Sequence, residues 1–195
     1  MVYSERPETA RGALGREPQP PSAAGTLDWP LLVFEKLREA EVRQVAYVPD
    51  SGHARLIELC HADGDFTTTP LTTEEEGIGI LAGAWLGGRR GALLMQSSGV
   101  GNCFNTLSLA TVCGFPLVML VTMRGEWGEF NPWQVPMGQL VESGLRLAGV
   151  VVYPVYDAAL AAPAVEAAAR IAFNGNRAAA VLLSQRMLGT KLFKD

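Results

Sequence analysis

Three consecutive carboxylates precede a glycine-rich apolar run in the segment LTTEEEGIGILAGAWLGG, residues 71–88. Acidic side chains in the first turn of a helix complement its dipole by about 0.3–1 kcal/mol each, which explains two of them. Three neighbours point about 100° apart around a helix, so one must face the protein. Gly77, Gly79 and Gly83 each cost up to about 1 kcal/mol relative to alanine, which indicates that a backbone or a ligand approaches closely. An inward glutamate here could exchange a proton with a bound molecule.

A second candidate is QSSGVGN, residues 96–102. A Ser-Gly-x-Gly turn between a strand and a helix can offer backbone N–H groups to an anion or a polar ring. It can equally be a tight turn that needs glycine for a positive φ. The segment is neither a dinucleotide fingerprint nor a P-loop, since no lysine follows. Both interpretations stay open at this point.

Nucleophilic catalysis by Cys103 is a third possibility, because a thiol at the start of a helix can have a lowered pKa. A Cys-His-Glu hydrolase would have to use one of the chain's two histidines, His53 and His61. A buried structural role for Cys103 is favoured, since free cysteine is among the most buried residue types. His53, beside a predicted strand end, is the better site candidate, whereas His61 is expected to cap or line the end of its helix.

Composition predicts one globular domain: the chain has 195 residues, of which 48% are hydrophobic and 18% charged. A net charge of −4 without a basic stripe argues against nucleic acid as the main partner. Three widely spaced cysteines form no zinc or disulfide pattern, which favours a reducing cytoplasm. The longest apolar run, residues 115–123, is too short to span a membrane. Residues 1–27 lack hydrophobic periodicity and are predicted to be a flexible tail before a domain at 28–195.

The rest of the chain alternates between strand and helix patterns. Asp28 is expected to cap a first helix that has Pro30 in its first turn. The pattern predicts an α/β fold with a six-stranded, mostly parallel sheet and helices on both faces. Working groups in such sheets gather at the carboxyl ends of the strands. The predicted strands are 43–50, 66–69, 91–96, 116–123, 149–155 and 178–184, with helices at 52–62, from Glu74, at 101–112 and at 157–173. The polar strand ends are 49–53, 68–76, 96–102 and 124–134.

These segments together resemble the pyrimidine-binding domain of thiamine diphosphate-dependent 2-oxo acid decarboxylases. The similarity is strongest to the α subunit of sulfopyruvate decarboxylase and to the matching half of phosphonopyruvate decarboxylase. It extends over residues 28–190 and rests on VPDS (48–51), TTEEEGIGILAGAW (72–85) and QSSGVGN (96–102) in the same order. The resemblance implies that the cofactor is contacted by Pro49, Asp50, Glu74, Gln96, Ser97, Ser98, Gly99, Gly101 and Asn102.

The resemblance also selects one of the three glutamates. The family's catalytic carboxylate lies nine residues before the glycine of an Ala-Gly segment, and here that glycine is Gly83, which selects Glu74. In the family this carboxylate bonds N1′ of the aminopyrimidine, and the cofactor then supplies the carbanion that attacks the substrate ketone. Glu75 and Glu76 are expected to cap the helix and face the surface.

A segment that the family needs is missing from this chain. The family holds the diphosphate through Mg²⁺ with a Gly-Asp-Gly segment followed by an asparagine. The nearest match here, DGDF at 63–66, precedes Glu74 and lacks that asparagine. The resemblance therefore implies a β subunit that carries the diphosphate and Mg²⁺ site, no metal on this chain, and an α2β2 or larger assembly. Gly77, Gly79 and Gly83 would then lie near a subunit contact.

The substrate implied by the resemblance is a small 2-oxo acid with a second acidic group, sulfopyruvate or phosphonopyruvate. Arg124 could neutralise that group, or it could be an ordinary ion pair. Ser51, His53 and Gln134 are the other predicted substrate contacts. A carboligase subunit and a non-catalytic subunit that retains the fold are the alternatives. A stand-alone nucleotide-binding module is disfavoured because no phosphate-binding motif is present.

Overall fold

The computed structural model describes residues 27–189, so nearly all of the predicted tail (1–27) lies outside the described residues. The strands are β1 (Val42–Tyr47), β2 (Thr67–Pro70), β3 (Arg90–Gln96), β4 (Leu117–Thr122), β5 (Val151–Val155) and β6 (Ala178–Leu183). The helices are α1 (Trp29–Glu39), α2 (Ala54–Ala62), α3 (Glu74–Leu86), α4 (Ser97–Cys103), α5 (Leu107–Cys113), α6 (Val135–Leu147), α7 (Ala161–Gly175) and α8 (Gln185–Leu188).

All six strands are parallel, in the order β2-β1-β3-β4-β6-β5, which confirms the predicted fold class. Every residue of β4 and β6 is buried. Helices α1, α2 and α7 pack on one face of the sheet, and α3 to α6 pack on the other. Because both faces are covered, the central strands are continuous apolar runs rather than alternating ones.

The start of α1 is the one that the sequence predicts. The Asp28 carboxylate accepts a hydrogen bond from the Leu31 amide at 3.3 Å, and Pro30 lies in the first turn. Asp28 thereby satisfies one of the amides that have no partner within the helix.

Three helical segments differ from the sequence prediction, one of which is the short α8, which was not predicted. The helix expected at 101–112 is two helices, α4 and α5, and α4 begins at Ser97 immediately after β3. Helix α6 was not predicted, although Pro136 lies in its first turn and Gly149 follows its end with a positive φ. Its buried residues, Gly138, Val141 and Leu145, are spaced three to four apart, which is a helical period.

Candidate active site

One aspartate joins the carboxyl ends of three neighbouring strands. Asp50, just after β1, accepts hydrogen bonds from the Thr122 hydroxyl of β4 at 2.6 Å and from the Gln96 amide of β3 at 3.1 Å. Burial raises the pKa of Asp50, but these bonds and the nearby His53 outweigh burial and leave the pKa below its ordinary value. Asp50 is therefore a carboxylate at neutral pH and fixes the relative positions of the strand ends.

Glu74 is the first residue of α3 and is only 9% exposed. Its Oε2 accepts a hydrogen bond from Nδ2 of Asn102, on α4, at 2.9 Å. Helices α3 and α4 pack against each other, so this bond crosses between the two motifs that the sequence singles out. The structure thus brings together the predicted catalytic glutamate and a predicted cofactor contact.

Gly99 contacts the carboxyl group of Glu74 so closely that a Cβ there would overlap it. The sequence left open whether this glycine serves a tight turn, but α4 is helical here and Gly99 is absent from the residues with positive φ. The glycine is required because the adjacent carboxyl group occupies the space of a side chain, and not because of backbone conformation.

The other two glutamates of the triplet have different surroundings. Glu76 is exposed and accepts a hydrogen bond from the Thr72 amide at 3.0 Å, which ties the segment before the helix to its first turn without capping a helix amide. Glu75 is half-buried, and its Oε2 is a buried atom without a hydrogen-bond partner among the described residues. The prediction of a surface residue therefore describes Glu76 better than Glu75, and Glu76 does not provide the predicted cap.

A groove of about 770 Å³ opens beside Glu74. Its walls come from α3, from α4 and from the segment that leads into α6, in which Trp133 is 82% exposed. Glu74 is the only charged residue among those that line it. The full lining consists of Glu74, Ser98, Gly99, Gly101, Asn102, Pro132, Trp133, Pro136 and Met137.

The remaining predicted cofactor contacts differ in exposure and in hydrogen bonding, and of Pro49, Ser97 and Ser98 only Ser98 lines the groove. Ser98 donates a hydrogen bond to Oε1 of Gln96 at 2.9 Å. Ser97 is fully buried, and its hydroxyl bonds the backbone of Arg124, accepting from the amide at 3.0 Å and donating to the carbonyl at 3.3 Å. Pro49 is exposed on the turn after β1. Ser97 therefore anchors backbone, whereas Ser98 lines the groove.

His53, a predicted substrate contact, is completely buried. Its Nε2 lies 3.1 Å from the Leu120 carbonyl of β4, and burial lowers its pKa, so the ring is neutral and donates this bond at neutral pH. No part of the ring reaches the surface, and His53 is not among the residues that line the groove, so its role as a substrate contact stays a prediction. The predicted contact Ser51, two residues earlier, is exposed.

Arg124, expected to be either a substrate receptor or an ion pair, forms an ion pair here. Its Nε and Nη2 donate to the two carboxylate oxygens of Glu129 at 2.7 and 2.6 Å. The Glu129 carboxylate raises the pKa of Arg124. Gln134 is half-buried at the end of the same loop, and its Oε1 lacks a hydrogen-bond partner among the described residues.

Acid should loosen this ion pair. Hydrogen bonds from Arg124, above all, lower the pKa of Glu129 to about 2 from an ordinary value of 4.5. The stabilisation is therefore complete above pH 4.5 and is lost as the pH falls toward 2. We expect the difference in free energy of unfolding between wild type and Glu129→Gln to shrink over that range. Urea unfolding at pH 7, 5 and 3.5 measures this, and a constant difference would contradict it.

Cys103 lies at the end of α4, and not at the start of a helix as the hydrolase hypothesis requires. Burial, with the nearby Glu74, raises the pKa of its thiol to about 12. Cys60 is also buried, and its pKa is likewise about 12, whereas Cys113 is exposed. The structure therefore supports the structural role of Cys103.

The three thiols should consequently differ in reactivity. We expect the native chain to react quickly with one equivalent of a thiol-specific disulfide reagent at pH 8, at Cys113, because thiolate and access are both required. Cys60 and Cys103 should react only after unfolding. Cys113→Ser should abolish the fast phase; a fast phase that persists in this variant would contradict the assignment.

Comparison with known proteins agrees with this geometry. Residues 31–131 match the family described as thiamine pyrophosphate enzyme, N-terminal TPP binding domain. The α subunit of sulfopyruvate decarboxylase from Methanothermobacter thermautotrophicus is 35% identical over 152 residues, 77% of this chain and 92% of that subunit. The chain belongs to the thiamine pyrophosphate enzyme family.

Other relatives of this chain are consistent with the family. The same subunit from Methanocaldococcus jannaschii is 34% identical over 63% of this chain and 73% of the relative. Phosphonopyruvate decarboxylase from Streptomyces viridochromogenes is 40% identical over 54% of this chain, but only 27% of the relative is covered. A solved 2-oxoglutarate:ferredoxin oxidoreductase from Magnetococcus marinus shares the fold, with a TM-score of 0.68 at 13% identity over 82% of this chain and 29% of that protein.

Two negative findings apply to residues 27–189 alone. No helix in this range is long and apolar enough to cross a membrane. No cluster of three or more His, Cys, Asp or Glu side chains there is suited to hold a metal ion.

Sequence reasoning missed two residues that organise the site, Glu129 and Gln185. Glu129 accepts hydrogen bonds from Arg124 and from two backbone amides. Gln185 is 2% exposed and reaches the same loop from the far end of the chain. A glutamate five residues after an arginine is a weak signal, and no local pattern marks Gln185.

Proposed function

We propose that this chain is the α subunit of a two-component, thiamine diphosphate-dependent decarboxylase. It would act on sulfopyruvate or phosphonopyruvate and release an aldehyde and CO2. The observation that carries the proposal is the Glu74 carboxyl group, packed against Gly99, bonded by Asn102 and open to a groove. Family membership and the sulfopyruvate decarboxylase relatives support the choice of cofactor and reaction.

The groove fits an aromatic ring with one polar edge. Glu74 offers a carboxylate, and Trp133 and Met137 offer apolar surface. The absent side chain of Gly99 leaves the carboxyl group room to lie against α4. Pro49, Asp50, Gln96, Ser97, Ser98, Gly101 and Asn102 are the other residues that we propose to surround the cofactor.

Each residue would have a limited task in the reaction. When bound, thiamine diphosphate would supply a carbanion for addition to the substrate ketone, and its thiazolium ring would take up the electron pair left as CO2 departs. Glu74 would exchange a proton with N1′ of the aminopyrimidine. Asn102 would keep Oε2 of Glu74 oriented, and Trp133 would exclude water from the groove. We propose Ser51 and Gln134 as the substrate contacts from this chain.

We propose further that a β subunit binds Mg²⁺ and the diphosphate. The name "subunit alpha" of the relatives supports a partner chain, and the lack of a Gly-Asp-Gly segment followed by asparagine supports its role. The composition and the three unpaired cysteines support a cytoplasmic location for the complex. An α2β2 or larger assembly is part of the same proposal.

The outer faces of α3 and α5 are the proposed contact with a partner subunit. Gly77 packs inward against Leu71 and Leu93, but Gly79 and Gly83 are exposed, with no atom within 4 Å of an added Cβ. Large apolar side chains are exposed on the same two helices. They are Leu86 (87%), Leu109 (44%) and Val112 (82%).

Val112→Asp is therefore expected to weaken assembly of the α and β subunits at least tenfold without unfolding this chain, because the side chain is exposed in the isolated subunit. Analytical ultracentrifugation of the mixed subunits measures assembly. The matched control is Leu32→Asp, at an exposed position of α1 on the opposite face of the sheet, which should assemble normally. Equal assembly of the two variants would mean that α5 is not part of the interface.

The experiment that tests the function is co-expression with a candidate β subunit, followed by assay of aldehyde and CO2. Sulfopyruvate, phosphonopyruvate and pyruvate would each be tested with and without thiamine diphosphate and Mg²⁺. Cofactor-dependent CO2 release that requires both chains supports the proposal and selects the substrate. Cofactor binding without turnover would favour a carboligase, and no cofactor binding would favour a non-catalytic subunit.

A further inference from the structure

The β4–α6 loop, residues 123–134, forms one wall of the groove, and its only helix is a single 3₁₀ turn at Pro132–Gln134. Side chains hold the rest of the loop. Trp133 at its end lines the groove with Glu74. The loop also exposes Trp127 and Phe130. The guanidinium groups of Arg186 and Arg124 lie over these two rings, at 4.1 and 5.5 Å from the ring centres. What fixes this loop also fixes one wall of the site.

The Glu129 carboxylate is the centre of the loop. Oε1 accepts from Arg124 Nη2 at 2.6 Å and from the Asn131 amide at 3.0 Å. Oε2 accepts from Arg124 Nε at 2.7 Å, from the Gly125 amide at 3.1 Å and from Gln185 Nε2 at 2.9 Å. With five donors and a side chain only 3% exposed, the carboxylate is fully satisfied within the protein.

Gln185 connects this centre to the end of β6. Its Oε1 accepts from the amides of Glu126 and Trp127 at 3.2 and 3.1 Å. In return, Oε1 of the Glu126 carboxylate accepts hydrogen bonds from the Ser184 hydroxyl and from the backbone amide of Gln185, both at 2.6 Å. One buried amide side chain therefore bonds two backbone amides of the loop and its central carboxylate.

This arrangement opposes the use of Arg124 as an anion receptor. Arg124 is 13% exposed, and its Nε and Nη2 already bond the two oxygens of Glu129. The pair has no net charge, so a second anionic group of the substrate would meet a carboxylate beside the guanidinium. Breaking the pair would also leave Glu129 buried without its countercharge, which is strongly unfavourable.

We infer that Glu129 and Gln185 are positioning residues that hold Arg124 and the β4–α6 loop in place, and that Arg124 does not bind the second acidic group of the substrate. The part of this inference that concerns substrate rests on the proposed function. The part that concerns the loop does not, because the contacts lie within this chain.

Amide hydrogen exchange on the full chain, followed residue by residue by NMR, tests the loop directly. Gln185→Leu should speed exchange of the Glu126 and Trp127 amides at least tenfold and leave Asn131 within threefold. Glu129→Gln should instead speed exchange at Gly125 and Asn131. The matched control is Glu142→Gln, which breaks an exposed pair with Arg146 on α6 and should change none of the four amides. Uniform or absent changes would overturn the inference.

Turnover by the assembled enzyme tests the role of Arg124, with the acidic 2-oxo acid that the wild type accepts. Arg124→Met alone leaves Glu129 unpaired and should lower kcat/KM at least 30-fold. The double variant Arg124→Met/Glu129→Gln removes both charges, keeps one oxygen that can accept from a loop amide, and should recover at least tenfold of that loss. A double variant no better than the single one, with KM raised in both, would make Arg124 the anion receptor and overturn the inference.

The hydrogen-exchange and turnover experiments together distinguish failure of the inference from failure of the proposed function. An assembled wild type that decarboxylates none of the acids would refute the function, and the exchange experiment would still decide the loop. If Gln185→Leu does not fold, the loop can still be tested with the double variant of Arg124 and Glu129, which keeps Gln185. Its Gly125 and Asn131 amides should then exchange at least tenfold faster, while Glu126 and Trp127 stay protected. Protection of all four amides would overturn the central role of Glu129.

Discussion

Glu74→Gln is expected to leave the fold and the assembly intact and to lower turnover by about 10²–10⁴-fold, the usual contribution of general acid–base catalysis. Glutamine has nearly the same shape, and its amide oxygen can still accept the hydrogen bond from Asn102. What it cannot do is exchange a proton at the cofactor ring. The loss should therefore appear in kcat, while the complex with the β subunit keeps its size.

Glu76→Gln is the matched control, two residues after Glu74 on the same helix. Its amide oxygen can still accept from the Thr72 amide, so this bond is retained and turnover should stay within threefold of wild type. Steady-state decarboxylation by the assembled enzyme measures both variants. Normal turnover by Glu74→Gln, or equal losses of turnover in the two variants, would mean that Glu74 is not the catalytic group.

The fold was predictable because its strands carry a strong signal. A parallel sheet covered on both faces requires continuous apolar runs, and β4 and β6 are such runs. The location of the candidate site was predicted from the same fold, since the carboxyl ends of parallel strands share one edge of the sheet. The choice of Glu74 among three glutamates needed the family resemblance, and its contact with Gly99 agrees with that choice.

The β4–α6 loop was not predictable in the same way. Its conformation depends on hydrogen bonds that backbone amides donate to side-chain oxygens, and such bonds have no periodicity along the sequence. Gln185 and Glu129 meet only because β6 lies beside β4 in the sheet. Arg124 could therefore be recognised as a cation at a strand end, but not as one already paired with Glu129.

The burial of individual polar residues was equally unpredictable from the sequence. His53 follows a strand-end turn, where a site residue is expected, yet its side chain is buried and bonds the Leu120 carbonyl of β4. Nothing in the pattern PDSGH distinguishes a histidine that faces the groove from one that faces the core. The direction of one side chain at the start of α2 decides between the two, and tertiary packing sets that direction.

Gly99→Ala should lower turnover about 100-fold although it favours the local helix. Alanine stabilises a helix interior by about 1 kcal/mol relative to glycine, so α4 itself should not be weakened. The new Cβ would, however, overlap the Glu74 carboxyl group, which must move away. A displacement of about 1 Å at a reacting group can cost about 10²-fold in rate.

The matched control for this variant is Gly64→Ala. Gly64 is exposed on the turn after α2, and a Cβ there meets no atom within 4 Å, so activity and stability should be close to wild type. Turnover of the assembled enzyme and urea unfolding of the chain measure the two effects separately. An active Gly99→Ala enzyme would mean that the carboxyl group has room to move without harm. Glu74 would then lack the fixed position on which its proposed role depends.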